Sequence, residues 1–507
     1  MSVGRAAFTI GGLTGLSRLA GFARDLLIAA ALGAGPVADA FFISLKLANF
    51  LRRLFAEGAF SAAFVPLHGR LTESAGTLSA RRFAGEVLAV LASALAVTVV
   101  AGELAMPWLV RLLASGFEPG SPRYELAVEL GRITFPYLLF ASLAALLSAM
   151  LQSAQRFAAA AFTPVLLNLV LIAVLLASGA VGEHAARLLA WGVVAAGIVQ
   201  LAWLLVATRR GGLLPAPTRP RLSREVRRLL ALIGPGLLGL GVAQVNILVS
   251  SWFATHLPAG TVAYLFYADR LIQLPLGIVG VALGTALLPA LSRAVRRGDA
   301  AHGVLNRAIE LALLLGLPAA MGLGLLAQPI VAVLFERGAF GPEASHATAQ
   351  VLAALAPGLP AYVLAKVLAP GFFALEDART PVKLASLALL VNIAAAALLA
   401  GPLAHQGLAI ALSLSSWVNA LGLAWLLWRR GVLRPDAGLW RRGSGVLAAV
   451  LAMAAVLLAS RAGLPGHSAI ALATTIAGGA CTFLIAAWAA GALDAVALRQ
   501  LWGRAPA

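Results

Sequence analysis

The chain has 507 residues, and only 11% of them are charged, less than half the share of a typical soluble domain. Apolar residues make up 61% of the chain, so an ordinary soluble enzyme and a disordered protein are both excluded. The net charge of +18 comes from basic residues scattered between apolar segments. Because nucleic-acid binding needs such residues on one face, we expect no nucleic-acid partner.

The apolar segments predict an all-α polytopic membrane protein with about fourteen transmembrane helices, because roughly 20 apolar residues cross the hydrocarbon as a helix. We place the helix centres near residues 20, 50, 97, 140, 170, 197, 243, 277, 320, 360, 391, 417, 450 and 480. The first two helices are the least apolar, since several charged residues fall within them: Arg18, Arg24, Asp25, Asp39, Lys46, Arg52, Arg53 and Glu57. The single cysteine, Cys481, excludes an intrachain disulfide and a cysteine-based zinc site.

The positions of arginine and lysine predict the orientation of these helices. Connections on the cytoplasmic side of a membrane protein carry the excess of basic residues. With the N-terminus inside, the cytoplasmic connections and termini hold about five times as many basic residues as the opposite connections. We therefore expect both termini, and the basic segment at 208–228, to be cytoplasmic.

The two halves of the sequence resemble each other in order. The matches recur after about 220 positions and pair 35–38 with 260–263, 63–70 with 286–293, Pro107 and Gly116 with Pro329 and Gly338, and 163–165 with 380–382. They predict two pseudo-symmetric six-helix lobes, related by an axis along the membrane normal, plus two extra C-terminal helices. The predicted domains are an N-terminal lobe at 1–207, a cytoplasmic basic linker at 208–228, a C-terminal lobe at 229–430, and the last two helices with a cytoplasmic tail at 431–507.

Charged residues inside membrane helices need a physical reason, because a central arginine costs roughly 2.5–3.5 kcal/mol to insert. Arg53 and Glu57 are four residues apart and can neutralise each other on one helix face. Asp25 and Asp39 could pair with nearby arginines. The remaining alternative is a wet cationic cavity for an anionic substrate, since guanidinium groups grip phosphate oxygens in pairs. No aspartate cluster for magnesium-diphosphate chemistry and no Walker lysine loop occurs in the sequence, so we do not expect an enzyme.

Several motifs closely resemble the MurJ (MviN) family. They are SRLAGFARD at 17–25, GAGPVADAFF at 33–42, LRRLFAEGAFS at 51–61, YADR at 267–270, GVALGT at 280–285, FERGAF at 335–340 and RTPV at 379–382. This resemblance covers essentially the whole chain. It implies a lipid II flippase of the MOP transporter superfamily, which moves the undecaprenyl-diphosphate-linked peptidoglycan precursor from the cytoplasmic to the outer leaflet of the bacterial inner membrane.

The resemblance also implies a site. The family's cavity arginines match Arg18, Arg24, Arg52 and Arg270, and its cavity acids match Asp25 and Asp39. The last two helices would form a groove for the lipid tail. The expected protein works as a monomer by alternating access, with lipid II and membrane lipids as partners and without a cofactor; a metal site and the coupling ion or membrane potential are left open.

Two positions depart from the family pattern. Gln273 stands where an acid is expected, and Ala48 where a proline is usual. Three other functions stay open at this point: a flippase for another polyprenyl-diphosphate oligosaccharide, a multidrug exporter, and a membrane scaffold. A cationic cavity would repel the cationic substrates of many drug exporters, so that alternative is disfavoured.

Overall fold

A computed structural model describes residues 3–56, 59–284, 287, 291–293, 301–461 and 468–493 of the chain. Within these residues the secondary structure is entirely helical, so the predicted all-α fold class is confirmed. Every predicted helix centre lies inside a helix. In chain order the helices are α1 Val3–Leu32, α2 Pro36–Ala56, α3 Ala59–Leu104, α4 Met106–Leu113, α5 Pro122–Thr134, α6 Tyr137–Ser153, α7 Phe157–Ser178, α8 Gly182–Arg210, α9 Arg224–Thr255, α10 Thr261–Gly284, α11 Ala301–Leu325, α12 Ala327–Phe335, α13 Pro342–Leu355, α14 Leu359–Ala374, α15 Arg379–Arg429, α16 Ala437–Arg461 and α17 Ala469–Ala489.

The helices are those of a polytopic membrane protein. Among the described residues, nine helical stretches are long and apolar enough to cross a membrane. Helices α1 and α2 are not among them, in agreement with their predicted charge content. The longest stretch, α15, contains two predicted centres and is interrupted at Ala404, whose φ of 45° and ψ of −127° are not helical. The total of about fourteen spans stays a prediction.

The contacts of the described residues divide the chain into two compact units. The first contains Met1–Ala263 together with Arg337–Phe340, and the second contains Tyr264–Glu336 and Gly341–Ala507. In the first unit, α1 packs on α7, α2 on α5, and α3 on α6 and α9. A ladder of stacked aromatic rings, Phe60, Phe64 and Phe83, lies in its core. The predicted lobe boundaries at 207 and 229 stay a prediction.

The order of elements repeats as the sequence matches suggest. Helix α2 begins directly after Gly35, and α10 begins directly after Gly260. Pro107 lies in the first turn of the short helix α4, and Pro329 in the first turn of the short helix α12. Each short helix leads through a loop into a helix pair, α5 and α6 or α13 and α14. Pro289, the predicted counterpart of Pro66, lies outside the described residues.

The linker between α8 and α9 is attached to the side of α3. Arg81 Nε donates to the carbonyl oxygen of Leu214 at 2.7 Å, and the amide of Ala216 donates to the carbonyl oxygen of Arg81 at 3.1 Å. Gly85 makes this approach possible, because a Cβ there would lie 1.9 Å from the Ala216 oxygen. The linker is therefore anchored in its middle as well as at its ends.

Candidate functional site

Arg24 of α1 is held by two side chains. Its Nε and Nη2 donate to Asp25 Oδ1 at 3.0 and 2.6 Å, and its Nη1 donates to Asn168 Oδ1 at 2.8 Å. Asn168 Nδ2 in turn donates to the carbonyl oxygen of Ser17 at 2.9 Å. Asp25 is only 2% exposed and the Arg24 side chain 14% exposed. The carboxylate therefore balances the charge of Arg24 and, with Asn168, fixes the plane of its guanidinium group.

Asn168 was not identified from the sequence. It lies on α7, which is otherwise strongly apolar, and a lone amide in such a helix is the signal that could have found it. Gly21 of α1 faces it, since a Cβ on Gly21 would lie 3.4 Å from Asn168 Nδ2. Helix α1 continues as one helix through Gly15 and Gly21, so Gly21 gives room for close helix packing rather than for a bend.

The other predicted arginines lie in different surroundings. Arg18 is exposed on α1, and Arg52 Nε donates to Asn49 Oδ1 at 3.2 Å on α2. Arg270 belongs to the second unit, where its guanidinium group lies over the ring of Phe266, 4.5 Å from the ring centroid. The structure thus joins Arg24 to Asp25. The convergence of all four arginines on one cavity stays a prediction.

Two further sequence expectations concern acids near these arginines. Gln273, which departs from the family pattern, donates from Nε2 to the carboxylate of Asp269 one turn earlier. An acid at position 273 would instead place two like charges four residues apart, which destabilises a helix. Glu57, the expected partner of Arg53, lies outside the described residues.

Asp39 is the centre of a second charged cluster, which lies near the start of α2. It is fully buried and pairs with Arg123 of α5, whose Nη2 lies 2.6 Å from Asp39 Oδ2. The same oxygen accepts the amide of Gly260 at 2.7 Å, and Oδ1 accepts the amide of Ala263 at 2.9 Å. Asp39 therefore caps the N-terminus of α10, where free amides and the helix dipole favour a negative charge.

A lysine on the same face of α2 makes another contact with α9. Lys46 is seven residues after Asp39 and so lies two turns along the same face. Its Nζ donates to Ser251 Oγ at 2.8 Å. Helices α9 and α10 are thus both held to α2 by polar side chains in the first unit. Neither Arg123 nor Ser251 was identified from the sequence.

Close backbone contacts surround the Asp39 cluster. The amide of Ala339 donates to the carbonyl oxygen of Ala30 at 2.8 Å, and a Cβ on Gly338 would lie 2.4 Å from that oxygen. At the end of α9, a Cβ on Gly116 would lie 2.2 Å from the carbonyl oxygen of Thr255. We call residues 30–39, 114–123, 254–263 and 337–340 the end cluster. At Gly338 and Gly116 the backbones of these segments lie too close together to admit a Cβ.

Two acids in the loops of the second unit are capping residues. Asp377 accepts Thr380 Oγ1 at 2.6 Å, the Thr380 amide at 2.9 Å and Arg430 Nη1 at 2.7 Å, which together hold the pKa of its carboxyl well below the ordinary range. Asp436 accepts the amide of Leu439 at 2.7 Å at the start of α16, and this bond lowers its pKa. Both groups stabilise helix starts.

Among the described residues, no group of three or more His, Cys, Asp or Glu side chains is arranged to hold a metal ion. The polar side chains around Arg24 and around Asp39 form charge pairs and hydrogen bonds with amides.

Comparison with known proteins identifies relatives over most of the chain. The family profile described as "Lipid II flippase MurJ" matches residues 28–474. A protein of Rhizobium meliloti described as a probable lipid II flippase MurJ is 46% identical over 466 residues, covering 90% of this chain and 87% of the relative. A lipid II flippase MurJ of Burkholderia cenocepacia is 36% identical over 466 residues, covering 90% of each chain.

Two solved structures share the fold. A structure titled "Lipid II flippase MurJ, inward closed conformation" has a TM-score of 0.81 at 24% identity and covers 94% of this chain and 97% of that one. An inward-facing multidrug resistance MATE family transporter of the MOP superfamily has a TM-score of 0.69 at 15% identity, covering 84% and 98%. At these identities the likeness concerns the fold alone.

Proposed function

Because the chain belongs to the MurJ family of lipid II flippases, we propose that it moves lipid II, the undecaprenyl-diphosphate-linked peptidoglycan precursor, from the cytoplasmic to the outer leaflet. The chain is a polytopic membrane protein. We place it in the bacterial inner membrane, acting as a monomer, without a cofactor and without changing a covalent bond of its substrate. The partners it needs are then lipid II and the surrounding lipids.

The observation that carries this proposal is the fixed guanidinium group of Arg24. A guanidinium group has five N–H donors, and three of the hydrogen bonds of Arg24 go to Asp25 and Asn168. Donors are left for the oxygens of a diphosphate, in an orientation set before the substrate arrives. Arg18, Arg52 and Arg270 complete the proposed binding set, with Asp25 offsetting part of the positive charge.

The end cluster supports transport by alternating access. If the basic linker at 208–228 is cytoplasmic, the end cluster lies at the outer face, where it closes the pathway while the substrate enters from inside. Breaking these contacts would then open the outer side. The last two helices, α16 and α17, are proposed to hold the lipid tail.

The orientation is tested with single cysteines at two open glycines, Gly212 and Gly341, neither of which has an atom within 4 Å of its Cβ position. Cys481, which is exposed, is first replaced by serine. Gly212→Cys should react with a membrane-impermeant thiol reagent only from the cytoplasmic side, and Gly341→Cys only from outside. Reaction of both from one side would overturn the orientation.

The function is tested by depleting the protein in its own host and measuring on which membrane face lipid II accumulates. We expect lipid II to accumulate in the cytoplasmic leaflet, and expression of the unchanged chain to restore its translocation. Arg18→Ala, Arg24→Ala, Arg52→Ala and Arg270→Ala, expressed at matched levels, should fail to restore it. Normal translocation in the depleted cells, with no second flippase present, would contradict the proposal.

Two other substrates give different outcomes in the same cells. Accumulation of another polyprenyl-diphosphate oligosaccharide, with lipid II unaffected, would indicate the nearest alternative. The fold shared with a MATE transporter favours a drug exporter as a second candidate. In that case depletion would raise sensitivity to cationic drugs and leave both lipid-linked precursors unaffected.

A further inference from the structure

The Asp39 cluster joins segments that are far apart in the sequence. Asp39 belongs to α2, Arg123 to α5, and Gly260 and Ala263 to the turn between α9 and α10 and the start of α10. Helix α2 packs along α5, so the ion pair lies between two helices that are already in contact. The two amide bonds are the part of the cluster that connects this helix pair to the α9–α10 turn, residues 256–260.

The charge of Asp39 needs Arg123. Asp39 is 0% exposed, and two neutral amides do not balance a carboxylate that water cannot reach. Arg123 supplies the counter-charge at 2.6 Å, and its own side chain is only 15% exposed. A buried carboxylate that loses its closest charged partner is strongly destabilised. Lys46, on the same helix face, donates to Ser251 and adds a smaller electrostatic attraction to Asp39 than Arg123 does.

The position of Arg123 is set by its surroundings. Its guanidinium group lies 3.9 Å from the ring centroid of Phe117. Ser121 caps α5 by accepting the amide of Tyr124, which fixes the first turn that carries Arg123. Gly116, in the same loop, abuts the end of α9 at Thr255. The loop that orients Arg123 therefore also touches the segment that Asp39 caps.

From this geometry we propose that Arg123 is a positioning residue of the outer closure: it holds the Asp39 carboxylate against the Gly260 and Ala263 amides, and so keeps the α9–α10 turn closed. When the turn leaves, the ion pair between α2 and α5 stays, and Asp39 loses only its hydrogen bonds from the Gly260 and Ala263 amides. The contacts of the loop at 115–116 with Thr255 and His256 break as well. For Asp39, opening therefore costs two hydrogen bonds from neutral amides, while the buried carboxylate keeps its counter-charge. The role in transport rests on the proposed function, whereas the closure itself does not.

The experiment uses the full chain in membranes with Cys481→Ser and a reporter, Val262→Cys. Val262 is 0% exposed and lies between the two capped amides, so a thiol there reacts only when the turn opens. We measure its rate of reaction with an impermeant thiol reagent added outside. Arg123→Gln should raise this rate at least about ten-fold, and Arg123→Lys, which keeps the charge but not the planar contact with Phe117, by about two- to five-fold.

A double-variant cycle separates positioning from a general loss of structure. Asp39→Asn alone should also raise the rate, and in that background Arg123→Gln should change it less than about two-fold, because the carboxylate that Arg123 positions is gone. Arg187→Gln is the matched control. Arg187 forms an ion pair with Glu129 in the same unit, and the Arg187 side chain is 42% exposed. It should leave the rate unchanged in both backgrounds.

Two results would overturn the proposal. One is a parental rate in both Arg123→Gln and Arg123→Lys. The other is an equal rise for Arg123→Gln with and without Asp39→Asn, which would mean that Arg123 acts through something else. If Arg123→Gln does not reach the membrane, Arg123→Lys carries the same comparison. A protein that closes as described but does not move lipid II would refute the proposed function and leave this inference standing.

Discussion

At the end of α1 and at the end of α9, a glycine from another segment packs against a backbone carbonyl oxygen, but the polar contacts beside that glycine differ. Gly338 lies against the carbonyl oxygen of Ala30 near the end of α1, and Gly116 lies against that of Thr255 at the end of α9. These two glycines are counterparts in the predicted internal repeat. The α1 side adds the backbone hydrogen bond from Ala339 to Ala30. The α9 side adds the hydrogen bond from the Gly116 amide to Thr255 Oγ1 and the buried Asp39–Arg123 pair. The two helix ends therefore share a glycine contact and differ in the polar contacts beside it.

Among the variants that test this comparison, Gly338→Ala should cause the largest loss of stability. Gly338 has a φ of 58°, and its added Cβ would meet a backbone oxygen, so both backbone strain and a steric clash result. We expect a loss of stability on the order of 2–4 kcal/mol, measured as a lower melting temperature of the purified protein. Gly120→Ala is the control, because Gly120 has a φ of 83° with nothing near its Cβ position. An equal loss in both variants would contradict the clash.

A smaller loss is expected from Gly116→Ala. Its backbone has no positive φ, so only the contact with the end of α9 at Thr255 and His256 is disturbed, at a cost of about 1–3 kcal/mol. Because the contact belongs to the α9 side, the variant should also raise the reaction rate of the Val262→Cys reporter. Gly35→Ala, at an open position, serves as the control for both measurements. An unchanged reporter rate would show that the Asp39 cluster closes the α9 side alone.

Arg24, with its partners Asp25 and Asn168, belongs to the proposed binding site, whereas Asp39 and Arg123 belong to the proposed outer closure. A variant at Asn168 tests whether these two roles are separate. Asn168→Leu removes one hydrogen bond to Arg24, worth about 1 kcal/mol, and leaves the end cluster intact. We expect slower lipid II translocation at matched expression and a parental rate at the reporter. Gln200→Leu is the matched control, because Gln200 is a buried amide that donates to Thr163 away from Arg24. Equal translocation in the two variants would remove Asn168 from the site.

The smallest effect concerns an acid outside the membrane helices. The pKa of Asp377 is lowered by its bonds to Thr380 and Arg430, so its contribution to stability is present above the ordinary aspartate pKa of about 4 and is lost as the pH falls below it. Asp377→Asn should therefore reduce the fall in melting temperature between pH 6 and pH 3. The same fall in both proteins would contradict this role.

The sequence predicted the helices far better than the pairing of charges. Hydropathy and the 20-residue length rule act along the chain, so each predicted centre, including both centres in α15, lies in a helix. Arg24 and Asp25 are neighbours in the sequence, which made their pairing easy to consider. Arg123 and Asn168 act on residues 84 and 144 positions away. Which side chains become such partners depends on how the helices pack, and no local sequence pattern predicts that packing.

The anchored linker has a consequence for how α8 is connected to α9. Because Arg81 and Gly85 hold Leu214, Ala216 and Thr218 against α3, the free tether before α9 is only the segment at 219–223. Fully extended, it reaches roughly 17 Å. Extra residues inserted at Gly212 would bulge outward and leave this reach unchanged, whereas the same residues inserted after Pro220 would lengthen it. The number of residues in the linker therefore does not by itself set the distance that its unattached part can span.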